Sequence, residues 1–532
     1  MSESLGHPID IDEQLPEPPL APRQRASTQA LSHLTNSAAL ATALTILGII
    51  ALSGFGIVVA LLFGRRIVAE QWPLLITATA VATYIAITVV NARHGLLFWI
   101  VTAPFARFAY LDLDLGSGIP NLTLNRVMTG VLLVLVLAQF AVRSRRMPRL
   151  MVGDFLVLAF VGASALSVPQ AVVGLQSAAQ SFFDLLVIPA MLYILARCLI
   201  TSREDLRSVM IALTIVGLYF SLLAIREQIT GDVWFYPIER SVYYTASIRR
   251  VVALLGNPAY IAVTISMAIP WAWYLLLSAR RHRLALLGIV LTMMAGVFFC
   301  MNRSGWIGLI ISLVIMALLV PRFRPYFMVM LVVAVMAAVS YWAIIATSAA
   351  VRERLQAQGP IEYRRETWDI ALRMIRDNLL FGIGYENFPH VYRQYGMWDV
   401  YLRATPTPHN TFFWVVLMGG LVALTPYLLM LASMFFSAVG VYLRGYLDAA
   451  KADGQDAATR QASADLAAIF IASMAAVLVP SVVMDIFQGY YNTMIMFLIM
   501  GAFFGAVTGE RRVHGGMSLW HRVHAMFVGQ AA

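Results

Sequence analysis

From Ala38 onward the chain alternates apolar runs near 20 residues long with short polar joints. A helix rises about 1.5 Å per residue, so each run is long enough to cross roughly 30 Å of hydrocarbon. The pattern predicts spans near 38–63, 72–90, 95–110, 126–142, 154–173, 182–200, 206–225, 256–278, 284–301, 304–320, 325–348, 409–443, 464–483 and 488–508. The expected fold is all-α, a polytopic transmembrane helical bundle of about 12–14 spans. Along the chain this gives a disordered cytosolic tail over 1–36, transmembrane helices over 37–348, a large outward loop over 349–408, C-terminal transmembrane helices over 409–508 and a cytosolic tail over 509–532. The first tail carries Pro16, Pro18, Pro19 and Pro22 among acids, Ser and Gln, and has no apolar run that a signal peptide would need.

The 349–408 loop has a helical period of its own. Trp368, Leu372, Ile375 and Leu379 fall on one stripe, with Arg365, Asp369, Arg373 and Arg376 off it, and Gly382 and Gly384 end the pattern. This predicts a surface helix lying on the outer face of the membrane as part of a cap.

Composition changes the picture only by excluding alternatives. With 60% hydrophobic and 12% charged residues, the chain departs far from a water-soluble domain. The net charge of +10 is carried by Arg, Lys451 being the one lysine. Arg143-Ser144-Arg145-Arg146, Arg280-Arg281-His282-Arg283, Arg322-Phe323-Arg324 and Arg511-Arg512 fall on one side of the predicted membrane, and Arg65-Arg66 on the other. Positive charge collects in cytoplasmic joints, so both termini are expected in the cytoplasm. Topology thus accounts for the basic balance, and no basic, aromatic domain outside the membrane points to nucleic acid. Cys198 and Cys300 both fall within spans, which argues against a disulfide or a metal quartet. The chain has no phosphate-binding loop, dinucleotide fingerprint or nucleophile elbow.

Few residues remain that can carry chemistry. Of nine His, His390 and His409 are expected outside, and the others (His7, His33, His94, His282, His514, His521, His524) in cytosolic tails or joints. His409 opens a span. A helix N-terminus disfavours protonation of an imidazole, which keeps it free to accept a proton. His409 is therefore either a general base or a residue that only shapes the helix start. Arg249-Arg250 precedes a span opening at Gly256-Asn257-Pro258, and Arg364-Arg365 opens the surface helix. Guanidinium forks match phosphate oxygens, so these pairs suit a pyrophosphate. Alternatively they pair with Glu239, Glu353, Glu362, Glu366 or lipid headgroups. Arg303, between two apolar spans, is expected at buried depth, where an arginine marks function. Asp112-Leu113-Asp114 has the spacing of a metal-binding pair or of plain alternation in an extended joint. Asp485, at a span edge, reads as a proton-relay acid or as a structural one.

Taken in order, Gly256-Asn257-Pro258, Asn302-Arg303-Ser304-Gly305, Arg364/Arg365-x-x-Trp368, Phe381-Gly382-Ile383-Gly384-Tyr385-x-Asn387-Phe388 and Pro408-His409-Asn410-Thr411-Phe412 resemble the superfamily of O-antigen ligases and Wzy-type polysaccharide polymerases. The motif-bearing likeness covers about 250–440. It implies an inverting glycosyltransfer without metal or other cofactor, at the outer face of the bacterial cytoplasmic membrane. The implied donor is a glycan on undecaprenyl pyrophosphate, and the acceptor a glycan or a lipid. The family's catalytic His maps onto His409. Its essential Arg residues map onto Arg249 or Arg250 and onto Arg364 or Arg365, and Arg303 matches a further family position. Asn410, Gly382 and Gly384 fall in supporting motif positions. Family members often carry an acid shortly before the Gly pair that follows His-Asn, whereas here Leu417-Met418 precedes Gly419-Gly420.

Polymerase, ligase and protein O-oligosaccharyltransferase share this scaffold and differ in acceptor. The chain shows no peptide-acceptor domain, which favours a polymerase or a ligase-like enzyme of exopolysaccharide or O-antigen assembly. A chain-length regulator is a candidate partner for the 444–463 loop. The rival reading is a transporter or flippase of a lipid-linked or anionic solute, which would show internal repeats and paired intramembrane charges.

Overall fold

Backbone polar groups cannot be left open in hydrocarbon, so apolar runs of this length close into helices, and among the described residues helices account for nearly all of the regular structure. The computed structural model describes residues 72–108, 112–113, 122–142, 144–145, 147–236, 251–279, 281–347, 359–395 and 407–513, all within the compact unit Ile67–Ala532. The expected 1–36 tail, the 38–63 span, Arg65-Arg66, Asp114, Arg249, Arg250 and residues 514–532 lie outside the described residues.

The helices are α1 (Trp72–Val90), α2 (Ala92–Thr102), α3 (Leu124–Ala141), α4 (Val152–Ala165), α5 (Leu175–Phe182), α6 (Ile188–Leu199), α7 (Arg203–Thr230), α8 (Pro258–Ser278), α9 (Arg283–Phe299), α10 (Arg303–Leu319), α11 (Arg324–Thr347), α12 (Gly359–Asp377), α13 (Phe388–Val391), α14 (Thr411–Ala449), α15 (Gly454–Leu478) and α16 (Tyr490–Val513). A short antiparallel pair, β1 (Asp112–Leu113) and β2 (Leu122–Thr123), matches Asp112 with Thr123. Among the described residues, 8 helical stretches are long and apolar enough to cross a membrane, or 9 if α10 and the start of α11, bent by 116° at Pro321, count as one span. α9 is apolar but has only 17 residues. The structure is thus a polytopic helical bundle.

α8 and α16 are buried along most of their length, while α3 and α4 are buried along less than half of theirs. Close packing makes α16 central. Gly501, Gly505 and Gly509 stand four apart on its face toward α6, and a side chain at any of them would strike the carbonyl oxygens of Tyr193, Ile200 or Thr201. Small residues let backbones approach where the hydrophobic effect cannot drive helices together.

The two ends of the bundle differ. At one end Arg145 donates to Cys198 O (2.7 Å), Arg203 to Thr459 O (3.0 Å), and Gly445 packs on Ala464. Arg197, 2% exposed, is held there by Asp154 through Nε and Nη2 (3.0 Å each), by Phe504 O and Thr508 Oγ1 (2.8 Å each) and by Arg149 O (2.6 Å). Arg93 pairs with Asp205, whose carboxylate also closes a capping box with Ser202 at the start of α7. At the other end begin α8, α10 and α14, the helices that carry the sequence motifs.

Candidate active site at the head of the long helix

α14 starts at Thr411 because Asn410 caps it. The Asn410 side-chain oxygen accepts from Phe412 N (2.9 Å) and Phe413 N (3.1 Å), satisfying two of the helix's open donors. The chain enters that cap through His409 in a left-handed conformation (φ +46), a strained state for a residue with a Cβ. Three contacts hold it. His409 Nδ1 lies 3.2 Å from Thr407 Oγ1, the Tyr363 ring meets the imidazole edge-on at 5.6 Å, and Trp368 Nε1 donates to Pro408 O (2.9 Å). When Nδ1–H donates to Thr407, the lone pair that can accept a proton is on Nε2.

Tyr363 and Trp368 belong to α12, so the surface helix is what braces His409. The amphipathic stripe differs from the expected one. Thr367, Ile370, Ala371 and Met374 are buried, Trp368 and Ile375 are half-buried, and Leu372 and Leu379 are exposed. Two apolar stripes satisfy the same helical period, and the docking partner selects one. Here the partner is a small core of Phe388, Tyr392 and Leu417.

That core forms where α14 breaks. Gly419 (φ −134, ψ 18) and Gly420 (φ +61, ψ −158) leave the helical conformation, which opens the hydrogen-bond ladder. The 379–383 segment closes it again: Ile383 N donates to Leu417 O (2.7 Å), and Leu421 N and Val422 N donate to Leu379 O (2.9 Å) and Leu380 O (3.2 Å). Gly382 (φ +70) faces the break, and a side chain there would strike Leu417 O and Gly420 N. The turn through Gly384 leads to Asn387, whose side chain accepts from Val172 N and donates to Gln170 O and Ile383 O (2.7 Å each). The segment that follows α12 is therefore fastened at both Gly382 and Asn387.

A strap between the last two spans ties α14 to α8. Thr411 Oγ1 donates to Met484 O and accepts from Ile486 N (3.0 Å each), and Tyr260 of α8 donates to Asp485 O (3.3 Å). Gly305 of α10 packs on Ala262 of α8. Asn257 and Asn302 cap α8 and α10 as Asn410 caps α14, accepting from Ala259 N (3.0 Å) and Gly305 N (2.8 Å). Three Asn-capped helix starts thus share one end of the bundle, and each adds positive potential there.

The sequence candidates distribute as follows. Arg364, half-buried, follows Tyr363 in the first turns of α12, at the His409 contact; Arg365 beside it is exposed. Arg303, expected at buried depth, is the first residue of α10, and its side chain is exposed on the bundle. Asp112 lies in β1.

Three acids gather at this end of the bundle, and two of them, Glu227 and Glu386, had no readable signal. Glu227, 4% exposed, accepts from Val252 N and Ala253 N (2.8 Å each). Glu386 is left-handed (φ +53) and accepts from Ser181 Oγ (2.7 Å); burial pushes its carboxyl up, against the opposing effects of Ser181 and His390. Asp485 is buried, and neither carboxylate oxygen closes a hydrogen bond of ordinary geometry, although Phe487 N and Gln488 N lie toward it. Burial pushes its carboxyl well up, and the Glu386 charge adds to that. Only the marginal position of Asp485 at a span edge was visible in the sequence.

Residues 288–428 match the O-antigen ligase family, Wzy_C. The stretch contains Arg303, Arg364, Arg365, Gly382, Gly384, His409 and Asn410, and the match bears out the resemblance drawn from the sequence. No curated protein matches the chain. On a polytopic bundle, the match supports a ligase- or polymerase-type membrane enzyme of glycan assembly, acting on lipid-linked glycans.

Proposed function

Starting from an O-antigen ligase domain that spans the outward loop and the head of α14, we propose that the protein transfers a glycan from undecaprenyl pyrophosphate to a glycan or lipid acceptor. The reaction runs at the outer face of the bacterial cytoplasmic membrane, in exopolysaccharide or O-antigen assembly. The observation that carries this reading is the brace between His409 and α12: one contact network holds the imidazole of a residue in left-handed backbone and the helix whose first turns bear Arg364 and Arg365.

His409 Nε2 takes the proton of an acceptor hydroxyl as that oxygen attacks the anomeric carbon. The new glycosidic bond forms on the face opposite the leaving group, so configuration inverts. The bond from the anomeric carbon to the pyrophosphate oxygen breaks, and undecaprenyl pyrophosphate departs as an anion. General base catalysis of this kind contributes about 10²–10⁴-fold. Arg364 or Arg365, Arg249 or Arg250, and Arg303 receive the departing charge, helped by the three helix starts. A guanidinium cluster of this kind can do what Mg²⁺ does elsewhere, which makes the reaction metal-independent. The arginine-rich end of the bundle then faces the cytoplasm, with both chain termini on that side.

The test uses purified protein in detergent with a glycan-bearing undecaprenyl pyrophosphate. Wild type should release undecaprenyl pyrophosphate with a longer or transferred glycan, unaffected by EDTA. His409→Ala should insert and accumulate normally but lose activity by at least about 10²-fold. Full activity of His409→Ala would remove the base from this mechanism.

A further inference from the structure

The segment that follows α12 enters left-handed backbone at Gly382 (φ +70), Gly384 (φ +97) and Glu386 (φ +53). Two of these are glycines, which adopt that conformation freely. The third carries a long acidic side chain at a cost in strain, although a glycine would satisfy the backbone there as well. What the strained position holds in place is therefore the carboxylate.

Both neighbours of Glu386 are pinned. Tyr385 N donates to Ser167 O (3.1 Å), and the Asn387 side chain bonds Val172 N, Gln170 O and Ile383 O. The carboxylate is half-buried. Oε1 accepts from Ser181 Oγ of α5 (2.7 Å), and Oε2 accepts no hydrogen bond among the described residues. Asp184, three residues beyond Ser181, is held instead by two arms of Arg126 (2.8 Å each). Glu386 has no such ion pair among the described residues, and His390 acts on it only through its charge.

Two polar groups beside it are also open. Tyr385 Oη is buried, Asp485 is 2% exposed, and neither side chain closes a hydrogen bond of ordinary geometry. The Asp485 charge acts on Tyr385, and the Glu386 charge on Asp485. The Tyr385 ring meets Trp414 edge-on at 5.9 Å, and Trp414 N donates to Asn410 O (2.9 Å), so the group stands beside the head of α14 that follows His409. Acceptors without donors of their own suit a ligand that brings hydroxyl donors, and their negative charge turns an anion away.

We propose that Glu386 is a substrate-binding residue that accepts hydrogen bonds from hydroxyls of the glycan, and so recognises the sugar part of the lipid-linked substrate and not its pyrophosphate. This rests on the glycosyltransferase reading.

The experiment uses purified full-length protein and the host's undecaprenyl-pyrophosphate-linked glycan. It measures KM, kcat, inhibition by undecaprenyl pyrophosphate that bears no glycan, and melting temperature. Glu386→Gln keeps the shape and an acceptor for Ser181 but not the charge. It should raise KM about tenfold, the worth of one hydrogen bond to a charged group, with kcat within about threefold and inhibition by the bare lipid within about twofold. Glu386→Gly removes the side chain and relieves the backbone. It should raise KM at least as much while melting within about 3 °C of wild type, and it serves where Glu386→Gln accumulates poorly. Ser181→Ala, which frees the carboxylate to turn, should give a smaller rise of about threefold. Unchanged KM in both Glu386 variants would overturn the proposal and leave Glu386 a residue of the turn alone. An equal weakening of inhibition by the bare lipid would also overturn it, since the effect would then fall on the whole site. If wild type itself transfers no glycan from the lipid, the glycosyltransferase reading falls and this assignment with it.

Discussion

At the scale of single residues, the bundle holds ionisable groups that solvent cannot reach, and their titration and partners are measurable. Asp485 is the clearest case. Its carboxyl, ordinarily near 4, is pushed well up by burial and by the Glu386 charge, so the folded protein binds that proton more tightly than the unfolded chain does. The stability this confers is complete below the unfolded value and is lost as pH rises through the raised folded value. Asp485→Asn, neutral throughout, should remove that slope and melt higher than wild type at pH 8, with the two converging near pH 4. A thermal scan in detergent across this range checks it, and an equal slope in both proteins would contradict the assignment. Arg197 is the opposite case, a buried cation with every arm occupied by Asp154, Phe504, Thr508 and Arg149. Arg197→Ala leaves the half-buried Asp154 without its cation and opens the Phe504 and Arg149 carbonyls, and should cost about 3–5 kcal/mol, read as a loss of folded protein on heating.

At the scale of elements, the segment after α12 and the break in α14 are one unit. A helix that opens its ladder at Gly419-Gly420 needs partners for Leu417 O, Leu421 N and Val422 N, and the 379–383 segment supplies them. Gly420→Ala places a Cβ against Leu380 O in a backbone region that only glycine enters easily, a change costing on the order of 3 kcal/mol. The loop should then lift from the helix, with faster proteolysis near Phe381 and reduced transfer activity. Gly382→Ala should do the same from the loop side. The brace itself is tested by Trp368→Phe, which keeps the ring against Phe413 but removes the donor to Pro408 O. Activity should fall about 5–10-fold, as befits one lost hydrogen bond, with little change in stability. Part of this unit was legible beforehand: Gly382 and Gly384 end the helical period, and Asn410 follows the candidate base. The buried stripe was not, because Leu372 and Leu379 obey the helical period as well as Ile370 and Met374 do, and only docking on Leu417 and Phe388 separates them.

At the scale of the whole molecule, arginine at one end and Asn-capped helix starts at the other give the bundle a polarity. In the proposed orientation, a single cysteine at Glu362 should react with an impermeant maleimide added outside intact cells. One at Asp453 should react only after permeabilisation. The reverse pattern would invert the topology. Cys198 and Cys300 are buried and should contribute little background.

The alternation of apolar runs with polar joints determined by itself that this chain is a helical membrane bundle, because hydrocarbon admits few other ways to satisfy a backbone. Local chemistry likewise marked the helix starts: the spans read as opening at Gly256-Asn257-Pro258, Asn302-Arg303-Ser304-Gly305 and Pro408-His409-Asn410 begin where an Asn side chain bonds a backbone N–H two or three residues on. Tertiary structure alone decided that Glu227 reaches Val252, that Thr411 bonds Met484 and Ile486, that the 379–383 segment heals the break in α14, and that Arg303 is exposed. Those contacts join residues far apart in the chain or depend on which face of a helix meets a neighbour. Periodicity carries neither kind of information, since it repeats along one helix and is blind to what stands across from it.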